Sequence, residues 1–183
     1  MSVKIISGKY KGRVLDGFDL KGTRPTMDRV KESLFGMIQE KIEDSIVLDL
    51  FSGSGNLGIE ALSEGAKFAY LVDNNRKAID IIRKNITKIG IQEVEIICKD
   101  YKNALQYLND HHVKFDIIFL DPPYQTNDIE KSLELIYDYD LLQQEGIVVC
   151  ESDSLEKIVY RSVYFECKNR KYGDKFVVIL QKI

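Results

Sequence analysis

The chain has 183 residues, enough for one domain with a full core and too few for two large ones. Hydrophobic residues make up 44% and charged residues 30%, the balance of a water-soluble globular fold, and no apolar run approaches the roughly 20 residues that span a bilayer. The net charge of −3 is unevenly spread. Through Lys31 there are eight basic residues against three acids, a net +5 that leaves −8 for the rest, so the sequence predicts a basic arm on an acidic body and an anionic partner held at one end. Cys98, Cys150 and Cys167 are far apart, each in a strand-like apolar run, and the only histidines are His111 and His112. That pattern argues against a zinc site or any other bound metal and predicts buried, reduced thiols. Residues 1–8 are too short and mixed for a secretion signal, so the expected compartment is the cytoplasm.

In chain order, residues 3–15 read as a small hairpin turning near Gly8. A loop rich in Asp, Gly and Lys follows, then Arg24-Pro25-Thr26, where Pro25 keeps Arg24 extended and Thr26 is placed to cap a helix. Val30, Leu34, Met37 and Ile38 mark one face of that helix. Strands are predicted at 46–50, 68–72, 94–98, 115–120 and 147–150. Between them lie a helix ending near Gly65, a stripe of Ile79, Ile82, Ile86 and Ile89 ended by Gly90, a short helix over 101–109, and another marked by Ile129, Leu133 and Ile136. The tail reads as two long strands, 159–167 and 175–182, around Tyr172-Gly173. Strand-helix alternation implies an α/β fold: a mostly parallel sheet covered on both faces, with an antiparallel hairpin at one edge. One domain over 1–183 is expected, with residues 1–40 as a basic extension of it.

The stretch Asp49-Leu50-Phe51-Ser52-Gly53-Ser54-Gly55-Asn56-Leu57-Gly58 joins the first core strand to its helix. Gly53, Gly55 and Gly58 fit GxGxxG, which allows a tight turn and close approach of ligand atoms to the backbone. Asp73 ends the next strand, 20 residues after Gly53, where a carboxylate can accept from both ribose hydroxyls. Asp49 at this turn repels pyrophosphate but suits the ammonium of a methionine moiety, so S-adenosylmethionine is favoured over a dinucleotide. Asp100 follows the third strand and is placed to accept from an adenine amino group, to cap the next helix, or both. Phe51 or Tyr101 is placed to lie against the adenine ring.

Asp121-Pro122-Pro123-Tyr124 follows the fourth strand. Two prolines make a stiff corner with free carbonyls. An exocyclic base amine is a poor nucleophile, because its lone pair is delocalised into the ring. The Asp121 carboxylate and a fixed backbone carbonyl, such as that of Pro122, can accept its N–H groups and hold the nitrogen in line with a methyl donor. Tyr124 can stack on the target base, which must be unpaired or flipped out. Guanine presents donors at N1 and N2 and so suits an acceptor-only carboxylate slightly better than adenine does. An adenine-N6 methyltransferase keeps every core residue. A nicotinamide-dependent oxidoreductase leaves 121–124 without a role, and a non-catalytic RNA-binding module would need the fold alone.

Four segments together resemble the bacterial 16S ribosomal RNA (guanine-N2)-methyltransferases: 5–13, 24–32, the glycine turn running on to Glu60-Ala61-Leu62, and 121–124. The two amino-terminal segments are the specific ones. The resemblance covers nearly the whole chain. It implies a Rossmann-like seven-stranded methyltransferase sheet with an amino-terminal RNA-binding extension. The implied substrate is a guanine in a hairpin loop of small-subunit RNA, within an assembled or partly assembled subunit. On that reading Lys4, Lys9, Lys11, Arg13, Arg24 and Arg29 contact RNA. Three positions depart from the family pattern: Asp73 stands where glutamate is usual, Gly36 where asparagine follows the Leu-Phe pair, and Asn56 where a small residue is frequent.

Overall fold

The computed structural model describes residues 2–18, 28–123 and 126–183. Arg24, Thr26 and Tyr124, named above as an RNA contact, a helix cap and a stacking residue, lie outside the described residues. The arm begins with β1 (Ser2–Lys4) paired antiparallel to β2 (Val14–Asp16). Helix α1 (Asp28–Ile38) follows. The alternating region comprises β3 (Ile46–Asp49), α2 (Asn56–Ser63), β4 (Phe68–Asp73), α3 (Arg76–Ile89), β5 (Val94–Cys98), α4 (Tyr101–Asp110), β6 (Phe115–Leu120), α5 (Asp128–Asp138) and β7 (Leu142–Ser152). Strands β8 (Phe165–Tyr172) and β9 (Lys175–Lys182) close the chain.

Seven strands form one sheet in the order β5-β4-β3-β6-β7-β9-β8. The first five are parallel; β9 runs antiparallel to β7 and to β8. Connections run outward in one direction from β3 and in the other from β6. The carboxyl ends of these two neighbours therefore form the switch point where open α/β sheets bind ligands. The arm, α1, α2 and α3 pack on one face, where Leu34 and Phe35 meet core residues of β6 such as Phe119. Helices α4 and α5 cover the other face. The isoleucine stripe of α3 is buried as its spacing predicts, and Gly90 ends the helix in the left-handed conformation.

Four expectations are corrected. Residues 159–164 form no strand; Val163 is 76% exposed, and pairing begins at Phe165. Strand β7 starts at Leu142 rather than 147, with a register shift before Ile117↔Ile147 that its polar first half conceals in the sequence. Of the cysteines only Cys150 is buried; Cys98 and Cys167 are exposed. Lys31, counted with the basic arm, is wholly buried and faces Glu60 at 2.7 Å.

Candidate active site

The turn after β3 is shaped by hydrogen bonds that its glycines permit. Gly55 N–H donates to Ser52 O at 2.7 Å, and Ser52 N–H donates to Val72 O at 2.8 Å, tying the turn to β4. Gly53 and Gly55 have φ of 56° and 83°, in the left-handed region that a side chain disfavours. At Gly58 the constraint is packing: a Cβ there would lie 2.2 Å from Leu71 Cδ2. Helix α2 thus approaches β4 more closely than any larger residue allows.

Around this turn lies a cleft of about 410 Å³, within the usual size of small-molecule sites. It is lined by Asp49, Phe51, Gly53, Asp73, Asp100, Tyr101, Asp121 and Pro122, so the structure brings together most of the residues expected to bind cofactor or perform chemistry. Gly55 and Gly58 act one step back, by shaping the turn and seating α2.

Each carboxylate has a distinct setting. Asp49 is buried and its Oδ2 accepts from Gly58 N–H at 3.0 Å. Burial pushes its carboxyl up to about 7; the Gly58 amide opposes the rise and the Asp73 carboxylate adds to it. Asp73 accepts from Gly53 N–H at 2.9 Å and from Asn75 N–H at 2.8 Å. Its carboxyl is also raised by burial, against the pull of those amides. Both oxygens are oriented by backbone and retain lone pairs for a pair of hydroxyls. Asp100 caps α4 by accepting from Lys102 and Asn103 N–H, both at 3.1 Å, and the Asn103 bonds hold its carboxyl below the ordinary range. The capping role is thus real, and the residue still lines the cleft. Phe51 and Tyr101 rings stand 5.7 Å apart, tilted by 44°, on the same side of it.

An acidic cleft of this kind repels a pyrophosphate. It suits a ligand carrying positive charge and ribose hydroxyls, which is the chemistry of S-adenosylmethionine. On the far side of the switch point, Asp121 and buried Pro122 follow β6 and open into the same space.

Sequence reasoning missed three lining residues from the arm, Val3, Gly17 and Phe18, which carry no motif and reach the cleft only through the pairing of β1 with β2. It missed the lock beneath them as well. Lys31 Nζ donates to Lys4 O at 2.8 Å and Asn56 Oδ1 at 2.7 Å and pairs with Glu60; Glu60 accepts from Ile6 and Ser7 N–H, both at 2.9 Å. The basic residues of the arm are divided by this seating. Lys4, Lys9, Lys11, Arg13 and Arg29 are all exposed. Lys9 N–H, however, bonds Ser63 O at the end of α2, and Arg13 Nη1 bonds Ile89 O at the end of α3. Both helix ends lie at the sheet edge opposite the cleft. Fourteen residues of α3 separate that edge from the mouth by about 21 Å.

The family model described as Conserved hypothetical protein 95 matches residues 3–181. YlbH of Bacillus subtilis strain 168, whose name proposes an rRNA methyltransferase, is 40% identical over 152 residues, covering 82% of this chain and 83% of that protein. The ribosomal RNA small subunit methyltransferase D of Buchnera aphidicola subsp. Baizongia pistaciae is 37% identical over 160 residues, 86% of this chain and 80% of that one. Among solved structures, yhhF of Escherichia coli, whose name proposes a methyltransferase, matches with a TM-score of 0.88 at 29% identity, covering 100% of this chain and 98% of that one.

Proposed function

The chain belongs to the family of the small-subunit ribosomal RNA methyltransferases D, and from that membership we propose that it methylates the exocyclic N2 amine of a guanine in 16S ribosomal RNA, using S-adenosylmethionine. The observation that carries this reading is the opening of Asp49, Asp73 and Asp121 into one cleft from three adjacent strand ends. When bound, S-adenosylmethionine supplies a methyl group already activated by its sulfonium. Asp73 holds ribose hydroxyls, Asp49 balances the charge of the methionine portion, and Asp100 with the Phe51 and Tyr101 rings receives the adenine.

At the other side, the Asp121 carboxylate accepts N–H bonds from the guanine edge, and the carbonyl of Pro122 takes the second hydrogen of the amine. These bonds localise the nitrogen lone pair and fix its direction, and positioning of this kind supplies much of the rate when the donor is already reactive. The proton released from the amine passes to a carboxylate oxygen of Asp121 or through it to water. Tyr124 stacks on the flipped base, while arm residues including Lys4 and Arg29 grip phosphates. The substrate is the RNA of an assembled or partly assembled small subunit. The working compartment is the cytoplasm, consistent with the lack, among the described residues, of any helix long and apolar enough to cross a membrane. In this reading 1–183 acts as one methyltransferase domain with 1–40 as its RNA-binding extension.

The test uses ribosomal RNA and small subunits from cells lacking the protein, incubated with methyl-labelled cofactor and digested to nucleosides. N2-methylguanosine is the expected product. Label in N6-methyladenosine would overturn the base assignment, and absence of label from both RNA and subunits would overturn the substrate.

A further inference from the structure

Outside the arm the chain is acidic, yet between residues 168 and 175 it carries Lys168, Arg170, Lys171 and Lys175 against the single acid Asp174. The first three belong to β8, the outermost strand on its side of the sheet, and Lys175 opens β9 just after the turn. Two of the four are engaged close by: Lys175 pairs with Glu151, and Lys171 lies over the Phe176 ring at 5.4 Å. Lys168 and Arg170 are exposed and have no carboxylate partner among the described residues.

Topology places this strand end at the mouth of the cleft. Strand β9 is antiparallel to β7, with Ser152 opposite Phe176. The β8–β9 turn therefore lies at the edge where β3, β4 and β6 deliver Asp49, Asp73 and Asp121. Alternation along β8 puts Lys168, Arg170 and Tyr172 on the face that carries α1, since their partners include Ile179 and Val177 of the arm-side core. The Tyr172 hydroxyl is hydrogen-bonded to Ser33 Oγ of α1. Arg29 lies one helical turn before Ser33 and is exposed. Just past α1, Lys41 reaches Glu145 O at the far edge of the sheet, so Arg29 lies on the cleft side of Ser33, while Arg170 lies two residues down β8 from Tyr172. The two flank this contact, beside the helix that packs on Phe119 two residues before Asp121.

We propose that Lys168 and Arg170 of β8, together with Arg29 of α1, form a phosphate track that holds the RNA strand next to the target base as it enters the cleft. The inference rests on the RNA-methylation reading above and adds a second binding surface to the arm. It is favoured because Lys9 and Arg13 are anchored at the opposite edge, at the far ends of α2 and α3, about 12 Å and 21 Å along those helices from the cleft. Near the cleft the arm offers Lys4, next to the lining residue Val3, and Lys168 and Arg170 extend the cationic surface along β8 on the side of α1. The competing explanation is that basic residues on β8 merely guard an open sheet edge against pairing with another chain. Glutamate guards an edge as well as lysine does but repels phosphate, so charge reversal separates the two.

The variant K168E/R170E is compared with wild type for binding and methylation of small-subunit RNA over a range of salt, with cofactor binding measured by calorimetry. At least a tenfold loss in RNA affinity near 0.1 M salt is expected, with the salt-dependence slope lowered by about 1.4–1.8 for two lost phosphate contacts. Cofactor affinity and the elution volume in size-exclusion chromatography should not change. If the reversed variant folds poorly, K168Q/R170Q should show the same slope change with a smaller loss. Wild-type binding and slope in a folded variant, while the wild-type protein methylates the RNA, would overturn the track alone. A wild-type protein that neither binds nor methylates the RNA would overturn the function on which it rests.

Discussion

Replacing Lys31 by methionine removes the cation from a site where no solvent can replace it. Lys31 and Glu60 side chains are both 0% exposed, and their charged atoms stand 2.7 Å apart. The substitution leaves the Glu60 carboxylate with only backbone donors from Ile6 and Ser7, and leaves Lys4 O and Asn56 Oδ1 without their shared donor. Breaking a buried pair from one side costs about 3–5 kcal/mol. For a chain of this size each kcal/mol lowers the melting temperature by about 2–4 °C. Lys31→Met should therefore melt about 6–20 °C below wild type in scanning calorimetry. The double variant Lys31→Met/Glu60→Gln should recover part of that loss, because a neutral amide still accepts from the arm and no longer buries an unpaired charge. Hydrogen exchange should show the Ile6 and Ser7 amides opening first, since Glu60 is what holds them against α2. A single variant melting within about 2 °C of wild type, with arm amides still protected, would refute the idea that this lock seats the arm.

Gly58→Ala should cost about 1–3 kcal/mol by overpacking against Leu71 and weaken cofactor binding at least tenfold, read by thermal shift and calorimetry. The carboxyls of Asp49 and Glu64 are both pushed up to about 7, so the folded chain keeps protons that the unfolded chain has released near the ordinary carboxylate values. The stability they contribute is lost as pH rises from about 4 through 7, and ligand-free protein should melt lower at pH 8 than at pH 6. The depressed carboxyls of Asp16, Asp100, Asp140 and Asp153 act below their ordinary value of 3.8 and do not offset this trend. Cofactor affinity should move the other way, rising through pH 7 as Asp49 ionises, and Asp49→Asn should flatten that rise. In a thiol-labelling time course Cys98 and Cys167 should react at once. Cys150, buried and with its thiol pushed up by loss of solvent, should react only on unfolding.

Much of the parallel sheet was legible because its strands are buried on both faces and show as short apolar runs between turn residues. The spans 94–98 and 115–120 match the observed strands residue for residue. The glycine turn and the two acids beyond it were readable for the same reason: a tight turn, a close helix and a polar strand end each demand a restricted residue type. Strand β8 was not readable, because five of its eight residues are charged or amide side chains and their pairing is fixed by β9 rather than by any pattern of their own. The apolar Val159 and Val163 drew the expected strand too early. Lys31 and Glu60 carry no local signal at all. Each looks like a surface charge on a helix, and only the packing of α1 across α2 buries them together. The distance of Lys9 and Arg13 from the cleft has the same origin, since a run of basic residues does not show which end of a helix will receive it.

The division of labour between the strand ends is best tested by pairing Asp73→Ala with Asp121→Ala and measuring, for each, cofactor affinity by calorimetry and single-turnover methyl transfer to small-subunit RNA. Asp73→Ala should weaken cofactor binding tenfold or more. Asp121→Ala should bind cofactor within about threefold of wild type yet transfer methyl at least a hundredfold more slowly, the scale of losing a positioning contact at the reacting atom. An Asp121→Ala protein that transfers at the wild-type rate, or that loses cofactor binding as severely as Asp73→Ala does, would contradict the assignment of nucleophile alignment to the tip of β6.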